Sequence, residues 1–134
     1  MWLYKKEQLL DEQIPENAIG FIYRITNMIN GRMYIGKKLL TKAGTKQVNG
    51  KKKKIRKESD WRDYYSSCDE LKNDVKLLGK DKFKREILHF TYTLATHTYL
   101  ENKELYVHGV LEKELYYNSN ISAKIFKKNI IGKI

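Results

Sequence analysis

Residues 20–38, GFIYRITNMINGRMYIGKK, leave the backbone little choice. Phe21, Ile22, Tyr23, Ile25 and Thr26 are aromatic or β-branched, and Met33, Tyr34 and Ile35 restore that character after a polar gap. Asn30-Gly31 falls in the gap. Both residue types tolerate positive φ, so the stretch predicts two antiparallel strands joined by a turn. The pairing brings Tyr23 and Tyr34 onto neighbouring strands. Spacing alone favours two half-buried strand tyrosines over two phenols meeting at a site.

The remaining elements follow from periodicity. Pro15 and Asn17 close off a short N-terminal segment, for which a helix is one option. Gly44 and Gly50 stand among lysines, so residues 38–57 predict a long loop or flexible insertion. Ser59, before Asp60 and Trp61, has a hydroxyl suited to opening a helix. Leu71, Val75 and Leu78 form one apolar stripe, which Gly79 ends as a cap. KFKREILHF supplies a third strand. Residues 96–113 form a longer helix, with Leu100, Tyr106, Val107, Val110 and Leu111 on its apolar side, until YYNSNIS breaks it. AKIFKKNIIGKI ends the chain as a short amphipathic tail. The order predicts an α+β fold: a small three-stranded antiparallel sheet flanked by helices. Residues 19–121 form the domain, with an N-terminal extension 1–18, a basic insertion 37–57 and a basic tail 122–134.

Charge narrows the class of partner. The net charge is +11, and the run from Lys37 to Lys57 holds ten basic residues and no acid. A field this concentrated attracts polyanions and speeds their encounter. The lesser reading is a solvated loop that aids solubility. Lys124, Lys127, Lys128 and Lys133 add a second, weaker positive region. No run of apolar residues is long enough to span a bilayer. The N-terminus lacks an apolar signal core, and Cys68 is the sole cysteine, which excludes an internal disulfide and a cysteine-built metal site. A cytoplasmic location is expected, in the host cell if the protein is phage-encoded. His89, His97 and His108 lack metal-ligand spacing.

With these residues in view, the chain resembles the GIY-YIG endonuclease superfamily. The two name-giving elements stand here as GFIY, ending at Tyr23, and YIG, starting at Tyr34. LGKDKFKREIL resembles the family's helix end and third strand. The helix bearing Glu101 and the YYN containing Asn118 match its acidic and amide positions. ESDWRDYYSS resembles short, stand-alone, phage-type members that carry a lysine-rich insertion before it. Phe21 is one residue more than the motif has. The family's catalytic arginine ordinarily follows the second tyrosine on a helix, where this chain has lysines; Arg56 and Arg62 are the candidates after the insertion.

The resemblance implies a metal-dependent hydrolysis of DNA phosphodiester bonds. Tyr23 is the candidate general base, its phenol brought within range by neighbouring cations, and Tyr34 orients it or the water. Glu101 is the candidate ligand of one Mg²⁺ or Mn²⁺, since a hard cation that keeps its waters needs few protein oxygens. Arg56 or Arg62 matches the phosphate as a planar fork. Lys37 assists there, and Asn118 braces the site. Glu104, Glu112 and Glu114 are expected in surface ion pairs. Lys38, Lys42, Lys46, Lys51, Lys52, Lys53, Lys54 and Lys57 supply the contacts to DNA. Trp61, Tyr64 and Tyr65 are read as core, with base stacking as the lesser role. The protein acts as a monomer, or as a transient homodimer on DNA, and not on a membrane. A non-catalytic nucleic-acid-binding protein on the same fold is the alternative. A membrane-surface adaptor is a third reading, which needs an ordered tail.

Overall fold

The computed structural model describes residues 1–121 and 126–134. Its strands are β1 (Trp2–Tyr4), β2 (Glu7–Gln8), β3 (Gly20–Asn27), β4 (Met33–Leu39), β5 (Thr41–Val48), β6 (Lys51–Glu58) and β7 (Phe83–Thr91), and its α-helices are α1 (Asp69–Leu78) and α2 (Leu94–Val107). Five strands form one sheet in the order β2-β1-β7-β3-β4, with β1 parallel to β7 and the other neighbours antiparallel.

The expected α+β class holds, but the sheet is mixed and larger than three antiparallel strands. The difference lies in the N-terminal segment, which returns to the sheet as β1 and β2. Trp2 explains it. The indole is buried, meets Phe21 and Tyr23 edge-on at 5.0 and 5.6 Å, and donates from Nε1 to the Trp61 carbonyl at 2.8 Å. One large buried aromatic anchors a strand too short to show periodicity.

The sheet is buried on both faces. Phe21, Tyr23 and Ile25 of β3 pack with Leu71 and Val75 of α1, while Ile22 and Ile35 pack with Leu100 and Leu105 of α2. Gly79 caps α1 with φ +99°, as expected. Leu78 lies outside the stripe at its exposed end. On α2 the expected apolar face is out of phase. Tyr106, Val107 and Leu111 are exposed; Leu100 is buried as expected, and His97 and Leu105 join it against the sheet. The helix ends at Val107, and Gly109 at φ +59° turns the chain before Val110 is buried.

Residues 38–57 are not a loop. β5 and β6 pair over all eight positions, from Thr41 opposite Glu58 to Val48 opposite Lys51. Asn49 and Gly50 make the turn at φ +51° and +76°, a two-residue hairpin with both positions left-handed. Asn30-Gly31, the pair that predicts a turn, sits within a longer loop, where Gly31 has φ +78° and the Asn30 side chain accepts from the Arg32 N–H at 2.9 Å. Ser59 accepts from the Trp61 N–H at 3.3 Å, but it opens only a 3₁₀ turn, Trp61–Asp63. In the tail a 3₁₀ turn covers Lys127–Asn129; Lys124 and the first residues of AKIFKKNIIGKI lie outside the described residues.

Candidate active site

β4 is the last strand of the sheet, and its outer edge is closed by three devices. The Met33 N–H donates to the Leu115 carbonyl at 2.9 Å, and the Tyr117 N–H donates to Met33 at 2.7 Å. The Asn118 amide mimics a strand: Oδ1 accepts from the Ile35 N–H at 3.1 Å and Nδ2 donates to the Ile35 carbonyl at 2.8 Å. The Lys37 N–H donates to the Glu101 carboxylate of α2. Unpaired edge groups need partners. Here the last partner is an acid.

Tyr23 and Tyr34 share one face of the sheet, since Tyr23 pairs with Gly36 and Tyr34 with Ile25. Their ring centroids are 6.2 Å apart. A β-bulge next to Tyr23, where β7 carries one extra residue between Ile87 and His89, alters the local twist. Gly36 makes the pairing possible. A methyl group there would stand 2.5 Å from the Tyr23 hydroxyl oxygen and 2.9 Å from Cε1 of Tyr34. Gly36→Ala is therefore expected to destabilise the fold by about 1–3 kcal/mol, as overpacking does, and to displace the Tyr23 hydroxyl. Urea unfolding at neutral pH checks it, and a midpoint equal to wild type would show that the ring has room to shift.

A third phenol joins the pair. Tyr64 meets Tyr23 edge-on at 5.9 Å and hydrogen-bonds its hydroxyl. The Lys38 ammonium lies 4.0 Å from the centroid of the Tyr64 ring and is held by Asp60 at 2.6 Å. Arg85 of β7 fixes the segment that carries Tyr64. It is buried between Trp2 and Tyr65 and donates from Nη1 to the carbonyls of Arg62 and Tyr64 at 3.0 and 2.9 Å. Ser67 hydrogen-bonds Tyr34.

The electrostatics run against one expectation. Tyr23 is 1% exposed, and burial above all drives its phenol well above the usual range; the Tyr64 and Tyr34 phenols and Glu101 push the same way. The largest influences on it all raise it. Tyr34 is also raised, chiefly by burial, with Ser67 opposing. Burial raises the Glu101 carboxyl, while the Lys37 ammonium and N–H pull it down. Glu101 is the charge common to both tyrosines, raising each of them, while the charge that acts on Glu101 itself is Lys37.

The arginines lie apart from these groups. Arg62 is clamped by Asp11 at 3.0 Å and Glu58 at 3.1 Å and lies over the Trp61 ring. Arg56 sits on β6, bonded to Oγ1 and the carbonyl of Thr41 at 3.1 and 2.8 Å. It lines a cleft with Lys37, Lys38, Thr41, His97 and Thr98. Lys37 donates to the Thr98 hydroxyl at 2.9 Å. His97 is buried against Thr91 at 2.7 Å, and burial together with Lys37 lowers its pKa to about 4, so it is neutral and structural. Glu104 bridges His89 and His108 at 2.7 and 3.0 Å. Lys42, Lys46, Lys51, Lys52, Lys53, Lys54 and Lys57 lie along the β5–β6 hairpin.

Among the described residues no three His, Cys, Asp or Glu side chains are grouped to hold a metal. Glu101 is a lone carboxylate with one backbone N–H as hydrogen-bond partner. That donor set suits a hard ion which keeps most of its waters, such as Mg²⁺ or Mn²⁺, and not zinc.

Sequence reasoning missed Tyr64 and Ser67 as neighbours of the pair. It also missed Lys72, Lys76 and Lys80, which line a groove with Tyr64. Their spacing of four was the available signal. Among the described residues no helix is long and apolar enough to cross a membrane. Comparison with curated proteins and with solved structures gives no match. A family model described as "Putative endonuclease segE, GIY-YIG domain" matches residues 2–121.

Proposed function

The chain belongs to the GIY-YIG family represented by that endonuclease domain, whose members are phosphodiester hydrolases, and from this we propose that it cuts DNA by tyrosine-assisted hydrolysis with one divalent cation. The observation that carries the proposal is the meeting of Tyr23, Tyr34 and Glu101 at the edge of β4, where the acid has one N–H partner and raises both phenols. Charges arranged to perturb one another mark functional clusters.

Tyr23 takes the proton of the attacking water. Its own phenol is protonated in the resting protein, so the base form is a small fraction that grows tenfold per pH unit. Tyr64 and Tyr34 hold its orientation. Lys37 and Arg56 offset charge on the phosphate; Arg56 is preferred because Arg62 is committed to Asp11 and Glu58. Asn118 keeps β4, and with it Tyr34, in place. Glu101 would hold Mg²⁺ or Mn²⁺, which stabilises the leaving oxygen.

Purified protein with supercoiled plasmid is expected to nick it in Mg²⁺ and not in chelator. One active site cuts one strand, so nicked circles should accumulate before linear product unless two copies meet on the duplex. Arg56→Ala should lose cutting at least tenfold. Arg62→Ala should cut normally and lose no more than about 1 kcal/mol, as exposed ion pairs do. Equal rates for the two variants would remove the arginine assignment. Binding without nicking under all metals would support the non-catalytic reading, which draws on the burial of Tyr23.

A further inference from the structure

The β5–β6 ribbon is built against its own electrostatics. Residues on paired strands alternate between faces. The register therefore gathers Lys42, Lys46, Lys51, Lys53 and Lys57 on one face, with Gly44, Val48 and Ile55 and no acid. Thr41, Ala43, Thr45, Gln47, Lys52, Lys54, Arg56 and Glu58 share the other. On the first face two rungs set lysine directly opposite lysine: Lys42 with Lys57, and Lys46 with Lys53. Like charges opposite each other destabilise a strand pair.

Little in the ribbon offsets that repulsion. None of its residues is buried, and all five lysines of this face are exposed. Among the described residues none of the five lies within ion-pair distance of an acid. A lone two-stranded hairpin is marginal in water even without such rungs. A polyanion would reverse the sign of this face.

We propose that the lysine face of the ribbon is a docking surface for the phosphates of duplex DNA, and that binding the duplex stabilises the ribbon. This deepens the nuclease reading and rests on it for the choice of polyanion. Two features select duplex over single strand. Residues 41–58 contain no Phe, Tyr or Trp on which unstacked bases could stack. A ribbon of eight residues per strand is at most about 26 Å long at ~3.3 Å per residue, and a two-stranded ribbon fits the major groove. Lysines on this face meet phosphates as point charges and read little sequence.

The proposal demands opposite effects from one substitution. Lys46→Thr removes one partner of a repulsive rung and adds a β-branched residue, so the free ribbon should gain stability. Limited trypsin digestion at the remaining ribbon lysines should slow, relative to wild type. Binding to a 30-base-pair duplex should weaken. In Lys42→Gln/Lys46→Gln/Lys53→Gln/Lys57→Gln, the slope of log affinity against log salt should fall by roughly three to four, at about 0.9 per phosphate contact. Lys52→Gln/Lys54→Gln, on the other face, should change it by less than one. Binding is read in chelator, so failure to cut plasmid bears on the nuclease reading and not on this one. An unchanged slope in the quadruple variant, equal losses from the two faces, single strands bound as tightly as duplex, or phosphatidylserine vesicles bound in place of duplex would each overturn it.

Discussion

Tyr23→Phe should cut plasmid at least 100-fold more slowly than wild type while folding with nearly the same stability. The variant loses one oxygen and keeps the ring that packs against Trp2, Phe21 and Tyr34. Losing one buried hydrogen bond to Tyr64 costs about 1 kcal/mol, well below the effect expected from removing a general base. A second readout separates catalysis from packing. Because burial raises the phenol, the wild-type rate should climb about tenfold per pH unit through the neutral range. The residual rate of Tyr23→Phe should lose that slope. Wild-type turnover in Tyr23→Phe would return the residue to the core, as a buried strand tyrosine. Tyr64→Phe gives the graded case: a smaller loss with the pH slope kept, since Tyr64 holds the hydroxyl and does not itself take the proton.

Glu101→Gln should abolish metal-dependent cutting, by about a thousandfold or more, and should leave the fold at least as stable at neutral pH. The sign follows from the raised carboxyl. The folded protein holds this proton more tightly than the unfolded chain does. The stabilisation from that proton is complete below the ordinary carboxylate range and is lost as pH rises through the raised value. At neutral pH the half-buried carboxylate therefore strains the fold, and glutamine relieves it while its amide oxygen still accepts from the Lys37 N–H. Urea midpoints and plasmid cutting, measured on the same preparation, check both halves. A variant that cuts at the wild-type rate removes Glu101 from the metal. One that loses cutting and stability together marks a merely structural acid.

The tyrosine pair is legible in the sequence for a physical reason. A strand pair is a local object. The alternation of Ile, Tyr and Phe, together with the return of the same composition at residues 33–35, is enough to pair β3 with β4 and to set Tyr23 near Tyr34. α1 is legible likewise, because Leu71 and Val75 are one turn apart and Gly79 caps the helix with a left-handed φ. Glu101 is reached only through the family resemblance, since nothing local sets it apart from Glu104.

The turn of the ribbon is also written locally, in Asn49-Gly50. Its flanking strands, however, lack the apolar alternation by which strands are recognised; a strand that buries nothing leaves no hydrophobic pattern. β1 is hidden for a different reason. Three residues carry no period, and Trp2 belongs to the sheet only through contacts with Phe21, Tyr23 and Trp61.

Short-range patterning accounts for the local elements: the β3–β4 hairpin, the α1 stripe and its cap, and the concentration of charge before Glu58. Which distant groups come together depends on how those elements pack. Tyr64 reaches Tyr23 because Arg85, on β7, holds the carbonyls of a segment far from it in the chain. Glu101 reaches the same place because the outermost strand of the sheet has an N–H at Lys37 that needs an acceptor. The ion pairs of Arg62 arise the same way, since Asp11 and Glu58 come together around it only once the N-terminal strands have folded back. Periodicity records which face of an element is buried; which distant polar group then satisfies an exposed edge depends on how the elements pack, and no spacing along the chain encodes that.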